Sequence, residues 1–178
     1  MRSFLILAVL LIGCNSSSSP PLTKKETYQG RSSKNAVYHA EVPLHWKRMN
    51  PSEDIRDTRI PICAYEMEGG LLTIHTFPYI SLEQRISPEA QIERWKKQAG
   101  ECEITSFAKG GFGGFRLESD EMIAYAMQLS PLLFQSTSSE LQADYTLKFV
   151  GKVAENKSAI DAFAVSFEWI QPLNYENL

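Results

Sequence analysis

The chain has 178 residues, of which 43% are hydrophobic, 22% charged and 11% aromatic, a balance that fits one folded domain and excludes wholesale disorder, collagen or a coiled coil. Its formal charge of −3 and pI of about 5.7 lack the basic excess of a nucleic-acid binder. One stretch alone is apolar enough to enter a membrane, and it is too short to span comfortably, which excludes a multi-pass membrane protein.

That stretch opens the chain. Residues 1–14 read MRSFLILAVLLIGC, with Arg2 as a charged start and an unbroken apolar run from Phe4 to Ile12. This is the pattern of a secretory signal peptide. It closes on Leu11-Ile12-Gly13-Cys14, which resembles the lipobox of bacterial lipoproteins. The resemblance implies that residues 1–13 are removed and that the Cys14 thiol carries a diacylglyceryl lipid holding the protein in the bacterial cell envelope. Asn15, where an aspartate would favour the inner membrane, leans towards the outer one. The alternative is an ordinary secretory signal with a fortuitous cysteine. Residues 14–35 are rich in Ser, Pro, Lys and Gly and are expected to form a flexible tether. About twenty residues give it an r.m.s. reach of roughly 25 Å. Its Lys24, Lys25, Arg31 and Lys34 suit either contact with anionic lipid or peptidoglycan or, more simply, a solvated linker.

A single domain is expected over 36–172, with 173–178 as a tail. Ala36 to Val42 reads as a strand, stopped by Pro43. Residues 50–61, with two prolines and five charges, read as a loop. Ile62 to Met67 and Leu71 to Phe77 read as strands, joined by a hairpin turn at Glu68-Gly69-Gly70. Ser87-Pro88-Glu89 is a helix start, and Gly100 its expected end. Ile92, Trp95 and Ala99 form that helix's apolar stripe. Strands are expected at Glu103–Ala108, Gly114–Glu118 and Met122–Gln128, while 130–142 is ambiguous. Ala143 to Val150 alternates cleanly, as a half-buried antiparallel strand does. A last helix is expected from about Asn156, with Ile160, Phe163, Ala164 and Phe167 as its apolar stripe. The sum is an α+β domain: a central antiparallel sheet of five to seven strands with two helices against it.

Three segments together resemble the PsbP-like fold, in its DcrB-type bacterial lipoprotein form. The first is the strand running from Tyr38 into Val42-Pro43-Leu44-His45-Trp46. The second is the helix segment Arg94-Trp95-Lys96-Lys97-Gln98-Ala99-Gly100. The third is Tyr145 to Phe149 followed by the helix from Ala159 to Trp169, where Ala164 replaces the usual aliphatic residue. The resemblance covers most of 36–170. It implies a sandwich around an antiparallel sheet and no catalytic residues, since the fold serves mainly binding and assembly.

Few residues promise chemistry. Outside the cytoplasm Cys63 and Cys102 are a candidate disulfide, the alternative being two separate thiols. No paired Cys or His spacing suggests a metal site, and no cofactor is expected. His39 and His75 lie in expected strands and would form a pH-sensitive pair if those strands were neighbours; His45 stands alone. Cys63 or a serine beside a histidine is the weak hydrolase reading, without a nucleophile motif to support it. Lys109-Gly110-Gly111-Phe112-Gly113-Gly114 reads as a glycine-rich turn rather than an anion cradle. Phe112 at its tip is a candidate partner contact if exposed. Trp46, Trp95 and Trp169 are either core or the lining of one pocket. Glu53, Asp54 and Asp57 alternate with Arg56 and Arg59, as in a solvated loop rather than a calcium site.

These readings lead to a lipid-anchored envelope module that binds or helps assemble a protein partner and catalyses nothing. The alternative is a small-ligand carrier or sensor, with a hydrolase third.

Overall fold

A computed structural model describes residues 21–31, 36–49, 58–78, 85–134 and 143–170. Residues 1–13, read above as a signal peptide, Cys14, the acidic residues Glu53, Asp54 and Asp57, and the expected tail lie outside the described residues.

The elements run β1 (Thr23–Gln29), β2 (Ala36–Pro43), β3 (Lys47–Met49), β4 (Cys63–Met67), β5 (Gly70–Pro78), α1 (Pro88–Ala99), β6 (Glu103–Lys109), β7 (Phe112–Glu118), β8 (Met122–Leu129), α2 (Pro131–Phe134), β9 (Ala143–Gly151), α3 (Val153–Ser166) and β10 (Glu168–Trp169). Seven strands form one sheet in the order β3-β4-β5-β9-β8-β7-β6, and β1-β2-β10 form a second sheet of three. Every pairing is antiparallel. This is the expected α+β architecture with an antiparallel sheet, divided into two sheets.

Strand alternation sends the large sheet's side chains to two different cores. On β8, Ile123, Tyr125, Met127 and Leu129 join one cluster, while Met122, Ala124 and Ala126 join another. The first cluster lies under α3 and the small sheet. It contains Tyr38, Trp46, Tyr65, Tyr145, Phe149, Phe163 and Phe167. The second lies under α1, where Ile92 and Trp95 meet Leu117, Met122, Ala124 and Ala126. Both faces of β8 are therefore dry.

Helix α1 begins and ends as its sequence directs. The Ser87 Oγ accepts from the Ala90 N–H at 3.2 Å, Pro88 opens the first turn, and Gly100 closes the helix at φ 71°. Helix α3 starts three residues before the expected Asn156, at Val153, and has no side-chain cap. Burial of Val153 against the first core replaces the missing cap as the cause of its start. Ile160, Phe163 and Ala164 face that core as the stripe predicts, and Phe167 caps the helix from within it.

The principal correction concerns the expected tether. Thr23–Gln29 is a strand, paired with β2 from Thr23↔Pro43 to Gln29↔Ala36. Its composition is polar because it is an edge strand with one inward side chain of consequence, Tyr28, at 2% exposure. Arg31, just beyond, is also buried: its Nε donates to the Thr76 carbonyl at 2.7 Å, and its guanidinium reaches the Ile60 carbonyl. The folded unit thus includes β1 and does not begin at residue 36.

Candidate functional site

The chemistry-bearing residues singled out in the sequence do not come together. Cys63 and Cys102 are both free thiols. Cys63 is buried in the core under α3, and Cys102 packs against the core under α1, so the sheet separates them and no disulfide forms. Burial pushes the Cys63 thiol pKa up, and the groups that act on it are Arg48, Tyr65, Glu26 and the Ala64 backbone. No imidazole is among them. A protonated, enclosed thiol is a poor nucleophile.

Phe112 is not a surface contact. Register Lys109↔Phe112 makes Gly110-Gly111 the whole loop, with φ 58° and 84°, the left-handed pair that a two-residue hairpin turn of this kind requires. Phe112 is therefore the first residue of β7 and points inward. It is 5% exposed, with its ring 4.9 Å from Tyr145 and 6.1 Å from Trp169. The tryptophans do not share a pocket either. Trp46 packs on Tyr65 and Phe163, Trp95 lies in the other core, and Trp169 sits on β10 against Phe112. His39 on β2 lies 3.9 Å from Glu168, whereas His75 lies on β5 of the other sheet, so they form no pair.

Two polar arrangements that sequence reading missed are built into the interior. One is a seam between the sheets. The Tyr28 and Tyr65 hydroxyls lie 2.6 Å apart, Tyr65 donates to Glu26 at 2.7 Å, and Arg48 donates to the same carboxylate at 2.9 Å. Burial alone would raise the Glu26 pKa; the hydrogen bonds from Lys24 and Tyr65 and the charges of Arg48 and Lys24 outweigh it and hold the carboxyl below its usual range. The Glu26 carboxylate thereby joins β1 to β3 through Arg48 and to β4 through Tyr65. The other is Arg85, whose guanidinium forks onto Asp144 at 2.6 and 3.1 Å, with side-chain exposures of 4% and 9%. Asp144 also accepts from the Leu129 N–H at 2.9 Å. This is a buried, bidentate pair with added backbone bonds, the geometry that offsets the cost of desolvating two charges.

The Arg85–Asp144 pair borders the face of the large sheet that carries α1. The helix packs on β7 and β8 and touches β9 where Lys148 Nζ donates to Gln98 Oε1 at 2.7 Å. Among the described residues no other helix packs on this face. Beyond α1, β5 and β9 present Leu71, Thr73, His75 and Phe77 opposite Val150, Lys148, Thr146 and Asp144. Leu71 and Val150 are direct cross-strand partners, 39% and 47% exposed. Between them and the buried pair lie the half-buried Thr73, His75 and Lys148. Burial lowers the His75 pKa, against a hydrogen bond with the Arg59 backbone that would raise it, and the Arg31, Arg94 and Lys148 charges lower it further. Burial and Arg94 likewise lower that of Lys148. At the far end a cavity of about 220 Å³ opens beside Phe77, Ile86, Met127 and the Arg85–Asp144 pair. This strip, apolar at one end, cationic in the middle and recessed at the other, is the candidate binding surface.

Comparison with known proteins bears on the architecture alone. No family model matches the chain, and no curated protein matches it. Among solved structures it is similar to the cyanobacterial PsbP protein CyanoP of Synechocystis sp. PCC 6803. The TM-score is 0.51 at 11% identity, covering 89% of this chain and 99% of that one. The chain has a PsbP-like fold.

Proposed function

We propose that the protein is a lipid-anchored module of the bacterial envelope. It is held by acyl chains on Cys14 and binds a protein partner through the β5–β9 strip. The observation that best supports this reading is the exposed cross-strand pair Leu71–Val150, on a sheet face that α1 covers in part. An antiparallel sheet can leave one face to water with polar side chains on it, so apolar side chains left in register on such a face are a contact surface in waiting. The basic groups beside the pair, Arg94 and Lys148, favour a partner surface with carboxylates.

A small-ligand carrier is the second reading, favoured by the recess at Arg85–Asp144. Its volume of about 220 Å³ is below the roughly 300–1,000 Å³ of pockets that enclose drug-sized ligands. It suits at most a small amphiphile.

The test is photo-crosslinking in intact cells with the reactive residue at position 71, against the same residue at exposed Glu103. Supporting results are a discrete envelope-protein adduct from position 71, its absence at 103, and its loss when Val150→Glu is added. Absence of a 71-specific adduct would overturn the assignment of the surface. Cys14→Ser should move the protein out of the membrane fraction; retention there would overturn the anchor.

A further inference from the structure

We infer that the end of the β1–β2 hairpin carrying Leu22 and Leu44 rests in the lipid headgroup layer and orients the domain on the membrane. The inference builds on the reading that Cys14 carries lipid.

The first support is chain length. Because β1 starts at Thr23, only eight residues, 15–22, lie between Cys14 and that strand. Eight residues reach at most about 28 Å, the length at full extension. The hairpin end where β1 begins is therefore the part of the domain held nearest the lipid.

The second support is what that end presents. The Leu44 N–H donates to the Leu22 carbonyl at 3.0 Å, extending the β1–β2 ladder by one pair. Both side chains are exposed, Leu22 at 78% and Leu44 at 55%. One exposed leucine needs no explanation. Two joined leucines at the point where an anchored chain enters the fold form an apolar tip suited to the acyl–headgroup boundary. The charges around the tip nearly balance: Thr23 donates to Glu41, Lys24 pairs with Glu26, and Lys47 pairs with Glu66. Apolar insertion, and not attraction to anionic lipid, is then what holds the tip down, so the contact should survive salt.

The third support is polarity along β2. Its other end leads to β10, through Tyr38↔Trp169, and on to the glycine hairpin, where Lys109 Nζ lies 2.9 Å from Glu168. With the leucine tip in the headgroups, the Gly110–Gly111 turn stands at the end of β2 away from the membrane.

The experiment uses full-length lipidated protein in vesicles of phosphatidylethanolamine and phosphatidylglycerol with radiolabelled acyl chains. Mass spectrometry verifies the lipid on Cys14. A benzophenone amino acid replaces Leu44 or, separately, Leu22, and the control is Ile104 on β6, at the edge of the large sheet opposite β3. Illumination should attach roughly tenfold more lipid label at 44 and 22 than at 104, because the insertion zone is only ~5–10 Å deep. The ratio should hold from about 0.1 to 1 M salt. Equal labelling at all three positions, or adducts of 44 and 22 with protein instead of lipid, would overturn the orientation and leave the anchor intact. A Cys14 without lipid would overturn both.

Discussion

The two faces of the seven-stranded sheet solve the same problem unequally. Under α3 the sheet meets a second sheet and a helix, and aromatic rings fill the gap: Tyr38 stacks on Phe167 at 5.1 Å, while Phe167 meets Tyr145 at 4.9 Å and Trp46 meets Phe163 at 5.4 Å, both tilted. On the α1 face, among the described residues, one twelve-residue helix rests on Leu117, Met122, Ala124 and Ala126, and Leu71 and Val150 of β5 and β9 stay exposed. Aromatics bury large areas and carry most of a core's energy. The α3 face therefore carries more of the domain's stability than the α1 face does.

Four substitutions test this division, from the largest expected effect to the smallest. Phe163→Ala, in the aromatic core, should cost about 3–5 kcal/mol in urea unfolding and lower the melting temperature by ten degrees or so. Ile92→Ala, on α1, should cost about 2–3 kcal/mol and raise amide exchange in 88–99 ahead of the rest. Equal losses with global exchange in both would erase the distinction between the faces. Tyr65→Phe removes the hydroxyl that joins Tyr28 to Glu26 and should cost about 1–2 kcal/mol, with faster exchange in 23–29. Protection of β1 unchanged in that variant would show that the seam does not hold the strand.

The smallest effect concerns His75 on the open strip. Burial holds its folded pKa below the ordinary histidine value of 6.5, so the unfolded chain binds the proton more readily. Stability contributed by the neutral imidazole is present in full above about pH 6.5 and is lost as pH falls from there towards the folded pKa. The slope from one such group is at most about 1.4 kcal/mol per pH unit. His75→Gln should flatten the stability profile below about pH 6.5; an unchanged profile would place the acid sensitivity elsewhere.

Much of the fold was legible because it is written in local patterns. Ser87-Pro88 and Gly100 mark α1 by capping chemistry, and the alternation from Ala143 to Val150 marks β9 by its two unlike faces. The strands missed are those whose pattern is not local. β1 reads as polar linker because one residue in it, Tyr28, is buried, and its partner surface belongs to residues tens of positions away. β3 and β10 have three and two residues, too few for any period to show. The candidate site was less legible still. Phe112 reads as a loop tip, and the register of β6 on β7 turns it inward by placing it one residue past the turn. Arg85 and Asp144 stand 59 positions apart, and nothing near either announces the other.

By itself, the sequence determined what depends on neighbouring residues: a lipobox-like start, helix caps, glycine turns, and the strand periodicity that allows an antiparallel sheet. Tertiary structure decided which face each strand shows to which partner. It took Thr23–Gln29 from linker to strand, set Cys63 and Cys102 on opposite sides of the sheet, and left Leu71 and Val150 side by side in water. The physical reason is that burial is a property of pairs of surfaces, and strand order, which brings those surfaces together, is set by contacts between segments far apart in the chain.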